Sequence, residues 1–477
     1  MSPKLIKDIS ASSAQVILNQ VFGLLIFLLT SRYLDKPVYG EMNWSLAVLT
    51  VVTTIMSLRL EQLVVRRVAA GPDASKLVTL FTAHLVFTSF VFYTLLLIAS
   101  FLFPGFFKTH YLLMVLAISH LLSFLSSPFK QLANGRENFR YLALMSTIAN
   151  LIRAVWLMTI VIFSYLTIEW VLVVYIISSV VELIICFYIG KYRLQVPYNK
   201  QHGLKDYLIL IRESLPLAGT VILNASIARI DWILLGLFRT REETANYSFA
   251  YKVFELSPFP LLIIAPILLS RFSRLFSNPS YNFLERKKDL GMLIRIEMIL
   301  ATGIPLVLNI VWTPLVNLLT ANKYGSVNES TFFILSCCIP FLYMNNLLWS
   351  ALFAQERIGR IFRVTFITFL IILAGDLALI SPLGAKGAAL VYLFATLVEY
   401  INYMRSSSLS SISESWTSPL SCVLAAFASG FLAFYTSDAL LIRLLIALPV
   451  FCFLLLATKQ LRKSDMGYIS RLFKTKS

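Results

Sequence analysis

Three observations predict an all-α polytopic membrane protein with about 14 transmembrane helices. Apolar runs of about 20 residues recur along the whole 477-residue chain, and a run of that length matches the hydrocarbon thickness of a bilayer. Hydrophobic residues make up 58% and charged residues only 14%, with a mean hydropathy of +0.78. That is too little charge to wet the surface of a soluble domain. The basic residues gather in alternate short loops, as in a chain that threads a membrane with its positive loops inside.

The spans fall in order at about 10–34, 42–59, 77–101, 111–129, 141–165, 169–190, 214–238, 246–270, 293–319, 331–353, 361–380, 385–404, 419–436 and 439–458. The first follows a basic start, MSPKLIKDIS, and its apolar run reaches Leu34. This is too long for the apolar core of a cleaved signal, so a retained helix is expected. An even number of spans puts both termini on one side. With that side cytoplasmic, the inner segments hold 30 of the 41 Lys and Arg and the outer loops eight: Arg32, Lys36, Lys108, Arg239, Arg241, Lys323, Lys386 and Arg443. This distribution, rather than nucleic-acid binding, accounts for the net charge of +17.

Cys186, Cys337, Cys338, Cys422 and Cys452 all lie in apolar segments without CxxC spacing. They read as packing residues, with no disulfide framework or metal site. No cofactor motif is present, and GxxxxGK[ST] is absent from the chain. The outer loops are short, which leaves little material for an enzyme site on the outer face. Pro258, Pro260, Pro266, Pro305, Pro314 and Pro340 fall within spans eight to ten. Each removes a backbone donor, so these are either simple kinks or the broken helices of a transporter.

An internal repeat at an offset of 205 residues organises the chain. Val16-Ile17-Leu18-Asn19 recurs as Val221-Ile222-Leu223-Asn224, and the same offset aligns Leu29 with Leu234, Gly40 with Ala245 and Val48 with Val253. Each copy opens a six-span unit on the same side, so the repeats are parallel. The expected layout is two six-helix lobes, 1–205 and 206–404, followed by two additional helices and a basic tail in 405–477.

Ionisable groups at bilayer depth cost about 2.5–3.5 kcal/mol each on insertion scales and need a partner, water or a function. The in-span bases are Arg153, Arg229 and Lys252, and the in-span acids are Glu182, Asp231, Glu255, Asp376 and Glu399. Arg153 is a cavity candidate whose structural alternative is a pair with Glu182. Ser12, Gln15 and Asn19 form a polar stripe on the first span. Thr220 and Asn224 match it on the seventh, where Asp231 extends the stripe. Lys252 and Glu255, three residues apart, are placed to neutralise each other. Tyr247 and Tyr251, one turn apart, are either sugar-stacking residues or interface tyrosines. Asp231, Glu255 and Asp376 are the candidates for ion coupling, and Arg153, Arg229, Lys252, Gln15, Asn19, Asn224, Tyr247 and Tyr251 those for the substrate cavity. His84 and His120 stand alone and read as packing residues.

Four segments resemble bacterial polysaccharide-export flippases. Arg32-Tyr33-Leu34 with Tyr39-Gly40-Glu41 looks like their first outer loop, and 60–69, LEQLVVRRVA, like the segment after their second span. Pro216 through Phe238, then Asn246-Tyr247 and Ala250-Tyr251-Lys252, are similar to their seventh and eighth spans. Gly384-Ala385-Lys386-Gly387-Ala388-Ala389 resembles the start of their twelfth. The resemblance covers roughly residues 5–404 and implies the multidrug, oligosaccharidyl-lipid and polysaccharide exporter superfamily. It further implies alternating access and an undecaprenyl-diphosphate-linked oligosaccharide, such as an O-antigen repeat unit, carried to the outer leaflet of a bacterial inner membrane. Membrane lipids, a polysaccharide polymerase and chain-length proteins are the implied partners. The competing readings are a peptidoglycan-precursor flippase, a multidrug exporter and, outside transport, a membrane polymerase or ligase. A peptidoglycan-precursor flippase is expected to carry cavity arginines near its first two spans, and the first span here has none.

Overall fold

A computed structural model describes residues 3–71, 74–195, 203–261, 265, 268–269, 272–273 and 283–462. The side chain of Ser12, and Lys200, Pro266 and the tail beyond Arg462, lie outside the described residues. All regular structure among the described residues is helical. Ten of the helices are long and apolar enough to cross a membrane, and up to 12 spans result if each of two bent pairs counts as one. The chain divides into two compact units, Met1–Ala245 and Asn246–Ser477.

In the first unit, α1 (Pro3–Tyr33) lies along α8 (Phe139–Phe163), which packs on α9 (Ile168–Tyr188). The second span is broken. Its first part is α2 (Lys36–Ser57), opened by Pro37, whose missing N–H costs nothing in a first turn. Leu58 (φ 46°) and Arg59 (φ 59°) then take left-handed backbone, and the chain leaves at 45° as α3 (Leu60–Ala70). Neither residue is glycine, so the break carries backbone strain of order 1–3 kcal/mol per residue. It is held by packing: Leu60, Val64, Phe81 and Leu132 are fully buried where α3 meets α4 (Ala74–Leu102) and α7 (Ser127–Gly135). The short α5 (Pro104–Thr109) leads into α6 (Tyr111–Leu125), which packs on α2 and α9. The seventh span runs through α10 (Leu204–Ile227), whose parts Lys205–Leu215 and Ala218–Ile227 meet at 56°, and α11 (Ile230–Phe238), and α10 and α11 both pack on α2.

The start of α12 (Arg241–Leu256) meets the start of α2. A Cβ on Gly40 would stand 2.0 Å from the Arg241 carbonyl oxygen and 3.0 Å from the Ala245 nitrogen. These are the positions that the 205-residue offset aligns.

In the second unit, α13 (Phe283–Thr320) carries Pro305 and Pro314 internally. Pro340, expected to break a span, instead opens α15 (Ile339–Ala354) after α14 (Gly325–Ser336), where proline is tolerated. The 49-residue α16 (Ile358–Ser406) is formally continuous, yet Gly384 within it is non-helical at φ 57°, ψ −134°, a region open to glycine alone. The Cβ position of Gly375 lies 2.7 Å from Val391. Residues that far apart in sequence touch because the chain doubles back at Gly384, so 361–380 and 385–404 are separate antiparallel helices. The last two helices, α17 (Glu414–Thr436) and α18 (Leu440–Ala457), pack on each other and on α13.

Two charges are deeper than the sequence indicated. Arg295, counted with an inner loop, is 4% exposed and pairs with Glu414 at 3.5 Å. Glu297, absent from the expected in-span acids, is 1% exposed. A 31-residue span, Leu290–Thr320, contains both, because the helix continues straight through the boundary that the charges had marked.

Candidate functional site

A connected polar interior runs through the first unit. Asn150 on α8 donates to Asn19 Oδ1 on α1 at 3.1 Å, which turns the polar stripe of the first span towards α8. Gln15, one turn earlier on that stripe, is half-buried. One turn along α8, Arg153 donates through Nε to Ser178 Oγ and through a terminal nitrogen to Ser179 Oγ, both at 2.8 Å. Its guanidinium lies 4.5 Å from the centroid of Tyr175. Glu182 is not the partner of Arg153. It pairs with Lys130 and accepts from Ser123 at 2.7 Å, and Ser123 joins Ser179 at 3.0 Å. Lys130 was assigned to a loop, yet α7 continues the fourth span and carries it to the Glu182 carboxylate. His120 reaches Thr53 at 3.2 Å, and His84 is held between Tyr207 and the Met56 carbonyl at 2.8 and 2.7 Å.

The break in the second span presents a further cation to the seventh. Arg59 donates to Gln62 Oε1 at 2.8 Å and to Thr220 Oγ1 at 3.2 Å. Thr220 belongs to the stripe read from sequence, Asn224 one turn on is exposed, and Arg229 follows at the α10–α11 break. Arg59 was counted among loop charges because nothing in Leu58-Arg59 marks a turn. The only signal was a charge directly after an apolar span and before a second amphipathic run. Below this point Arg67 pairs with Glu213, and Lys76 with Asp206 at 2.8 Å, tying α3 and α4 to α10.

The stripe does not continue to Asp231 as a helical row, because the break at Ala228–Arg229 resets the helix phase. Asp231 is 1% exposed and accepts the Trp232 N–H at 2.8 Å, closing the first turn of α11. Arg229 donates to the Ala228 carbonyl at 2.7 Å and lies 4.8 Å over the Trp232 ring.

In the second unit Lys252 and Glu255 pair at 3.1 Å on α12. Tyr247 and Tyr251 are fully buried with centroids 5.8 Å apart, and Tyr251 also meets Phe254 and Tyr392 edge-on. Asp376 is fully buried in α16, and Glu399 accepts from Asn345 at 3.0 Å. A cavity of about 620 Å³ opens between α13, α14 and α17, lined mainly by apolar groups with Asn309, Ser336 and Glu329 at its polar edge. No group of three or more His, Cys, Asp or Glu able to hold a metal occurs among the described residues.

Residues 5–276 match the profile of a family described as polysaccharide biosynthesis protein. No curated protein matches the chain. Among solved structures, the lipid II flippase MurJ in an inward closed conformation aligns at a TM-score of 0.74 and 14% identity, over 97% of this chain and 99% of that one. An inward-facing multidrug-resistance transporter of the MATE family aligns at 0.65 and 13% identity, over 83% and 96%. A MOP-superfamily transporter from Pyrococcus furiosus aligns at 0.53 and 13% identity, over 84% and 94%.

Proposed function

Because the chain belongs to the polysaccharide biosynthesis protein family of the multidrug, oligosaccharidyl-lipid and polysaccharide exporter superfamily, we propose that it is a flippase for a polyprenyl-diphosphate-linked saccharide. It carries this lipid from the cytoplasmic to the outer leaflet of a bacterial inner membrane by alternating access, translocating rather than catalysing. The observation that carries this reading is the family match over residues 5–276, which takes in the polar interior around Arg153 and the seam of Arg59, Thr220 and Arg229. Guanidinium groups bind diphosphate oxygens bidentately, so arginines are the natural contacts for this head group. The apolar cavity of the second unit is of a size to take a length of isoprenoid chain.

In the proposed architecture there are 14 spans in two six-helix lobes, 1–205 and 206–404, with both termini cytoplasmic. The doubling back at Gly384 supplies one of the spans that a helix count misses, and 246–270 lies partly outside the described residues. The equivalent turns meeting at Gly40 and Ala245 support a parallel repeat.

Two saccharides fit. A polysaccharide repeat unit such as O-antigen agrees with the family's description. A peptidoglycan precursor is favoured by the likeness in fold to a lipid II flippase over nearly the whole chain, and by Arg59, which supplies the second-span arginine expected for that cargo. The multidrug transporter covers 83% of this chain, against 97% for the lipid II flippase, so the last two helices have their counterpart in the latter's length of fold. Depletion in the native host separates the two. Lysis with accumulation of the peptidoglycan precursor assigns that lipid, whereas viable cells lacking surface polysaccharide assign a repeat unit. Vesicles holding purified protein that fail to flip either labelled polyprenyl-diphosphate saccharide would overturn the flippase reading.

A further inference from the structure

Where α5 joins α6, four helices converge on one buried acid. Glu41, in the motif Tyr39-Gly40-Glu41 near the start of α2, is 3% exposed. His110 Nδ1 lies 2.9 and 3.1 Å from its two carboxylate oxygens. Arg241, the first residue of α12, brings Nε to 3.3 Å from Oε2 and donates to the Thr109 carbonyl. His110 is itself buried between two aromatic rings, Trp44 at 4.3 Å and Phe106 at 4.4 Å between centroids, tilted by 32° and 42°. Trp44 is fixed in turn, its indole N–H donating to the Ile233 carbonyl at 3.1 Å.

Two features face the His110 ring, a carboxylate and a pair of aromatic rings. A carboxylate facing the ring nitrogen strengthens its hydrogen bond when the ring carries a proton, and aromatic faces attract a cation by their quadrupole. The remaining charges nearby are disposed elsewhere. Lys108 on α5 is exposed, Lys36 begins α2, and Arg32 and Asp35 lie at the α1–α2 turn. Glu242 is exposed, and Glu243 pairs with Arg239 at 2.8 Å. Asp231, the acid of α11, sits at the other end of that helix on the Trp232 N–H. α6 carries no Asp, Glu, Lys or Arg, and its one histidine, His120, lies towards its far end.

One buried carboxylate thus has two candidate counter-ions. With His110 neutral, Arg241 alone compensates Glu41, and a buried charge without compensation is costly. With His110 protonated, Glu41 is neutralised from inside, and the guanidinium, 39% exposed at its side chain, faces a pair of no net charge plus a like-charged ring. We propose that Glu41, Trp44 and Phe106 build a proton site at His110, and that proton uptake there releases the first turn of α12, Arg241–Ala245, from α2. In the orientation proposed above this is the outer end of the molecule, so the proton comes from the outer aqueous phase. Imidazole is the side chain whose ordinary titration falls between pH 5 and 8, the range in which such a phase varies.

The test uses the purified full-length protein and reads no transport, so it stands apart from the cargo. A protonated imidazole at stacking distance quenches indole emission. The difference in emission between wild type and Trp44→Phe should therefore fall on acidification from pH 8 to 5, and stay flat when His110→Gln is introduced into both proteins. Release is read at Thr244, 1% exposed, replaced by cysteine in a cysteine-free background and labelled with a soluble maleimide. Dividing by the rate of the same cysteine in the His110→Gln protein removes the pH dependence of the thiol. The ratio should rise on acidification by about tenfold, the factor that one charged hydrogen bond is worth. Arg241→Gln should label faster than wild type at pH 8 and at the wild-type rate at pH 5, and this keeps the test open if His110→Gln folds poorly. A flat Trp44 signal, or a constant labelling ratio beside a titrating Trp44, would overturn the proposal.

Discussion

Arg153 and Arg59 show how differently two arginines in one polar interior are held. Arg153 spends two nitrogens on neighbouring serines and stacks on Tyr175, a fork that a lysine ammonium cannot reproduce. Arg153→Ala should lower thermal stability by about 2–3 kcal/mol, since it leaves buried hydroxyls and a network short of a charged donor. Arg153→Lys should recover less than half of that in a melting experiment. Arg59 sits at a strained break, where it donates to Gln62 and Thr220. Arg59→Ala should melt within about 1 kcal/mol of wild type, yet flip lipid at least about tenfold more slowly, and equal flipping rates would remove it from the path. Asp231→Asn retains an oxygen to accept the Trp232 N–H, so it isolates charge from fold. Purified into vesicles it should still flip lipid but lose acceleration by an imposed proton or sodium gradient, whereas full gradient dependence would exclude Asp231 as the coupling acid. The depth of Arg153 was legible in the sequence. Its partners were not, because rotation about a helix decides between Glu182 and the serines three and four residues earlier, and a single sequence carries no such rotation.

Helix breaks, more than helix lengths, separate what was written in the sequence from what packing imposed. Hydropathy marks spans because burial in lipid demands apolar residues. Breaks were expected at prolines, but Pro340 begins a helix. Besides the 56° bend between Leu215 and Ala218, the turns at Leu58-Arg59 and Ala228-Arg229 shape the first unit, and no glycine or proline announces either of them. Tertiary packing pins those turns, and local propensity is silent about it. Glycine stands where two backbones touch, at Gly40, and where the chain takes a left-handed turn, at Gly384. Gly40→Ala puts a methyl 2.0 Å from the Arg241 carbonyl, and α2 and α12 must separate to admit it. The expected cost is about 1–3 kcal/mol, visible as a lower melting temperature, while Gly71→Ala, with open space around it, should melt like wild type. Equal melting of the two variants would show that the crossing yields without strain.

For the molecule as a whole, the distribution of basic residues predicts more than any single helix. Cysteines placed at Lys108 and Lys323 should react in intact cells with an impermeant maleimide, and a cysteine at the exposed Lys205 should react only after the membrane is opened. Reaction at Lys205 in intact cells would invert the proposed orientation. The all-α membrane class of the fold was readable from composition and the recurring apolar runs. The division of the chain at Ala245 was not, because the seventh span, although it opens the second sequence copy, packs on α2.

The bond pattern of Arg153 also has a consequence for the birth of the protein. Every partner it has been given lies on α9: Tyr175, Ser178 and Ser179. The fifth span therefore leaves the ribosome carrying a guanidinium with nothing to hold it. On insertion scales such a residue costs about 2.5–3.5 kcal/mol at the middle of a helix, and the debt is settled only when the next span arrives. Synthesis and membrane entry of α8 and α9 should consequently be a single event, the two helices passing from the translocon as a hairpin joined by the short turn at Ser164–Thr167. A nascent chain arrested before α9 should leave α8 lingering in the channel, and one arrested after α9 should release both.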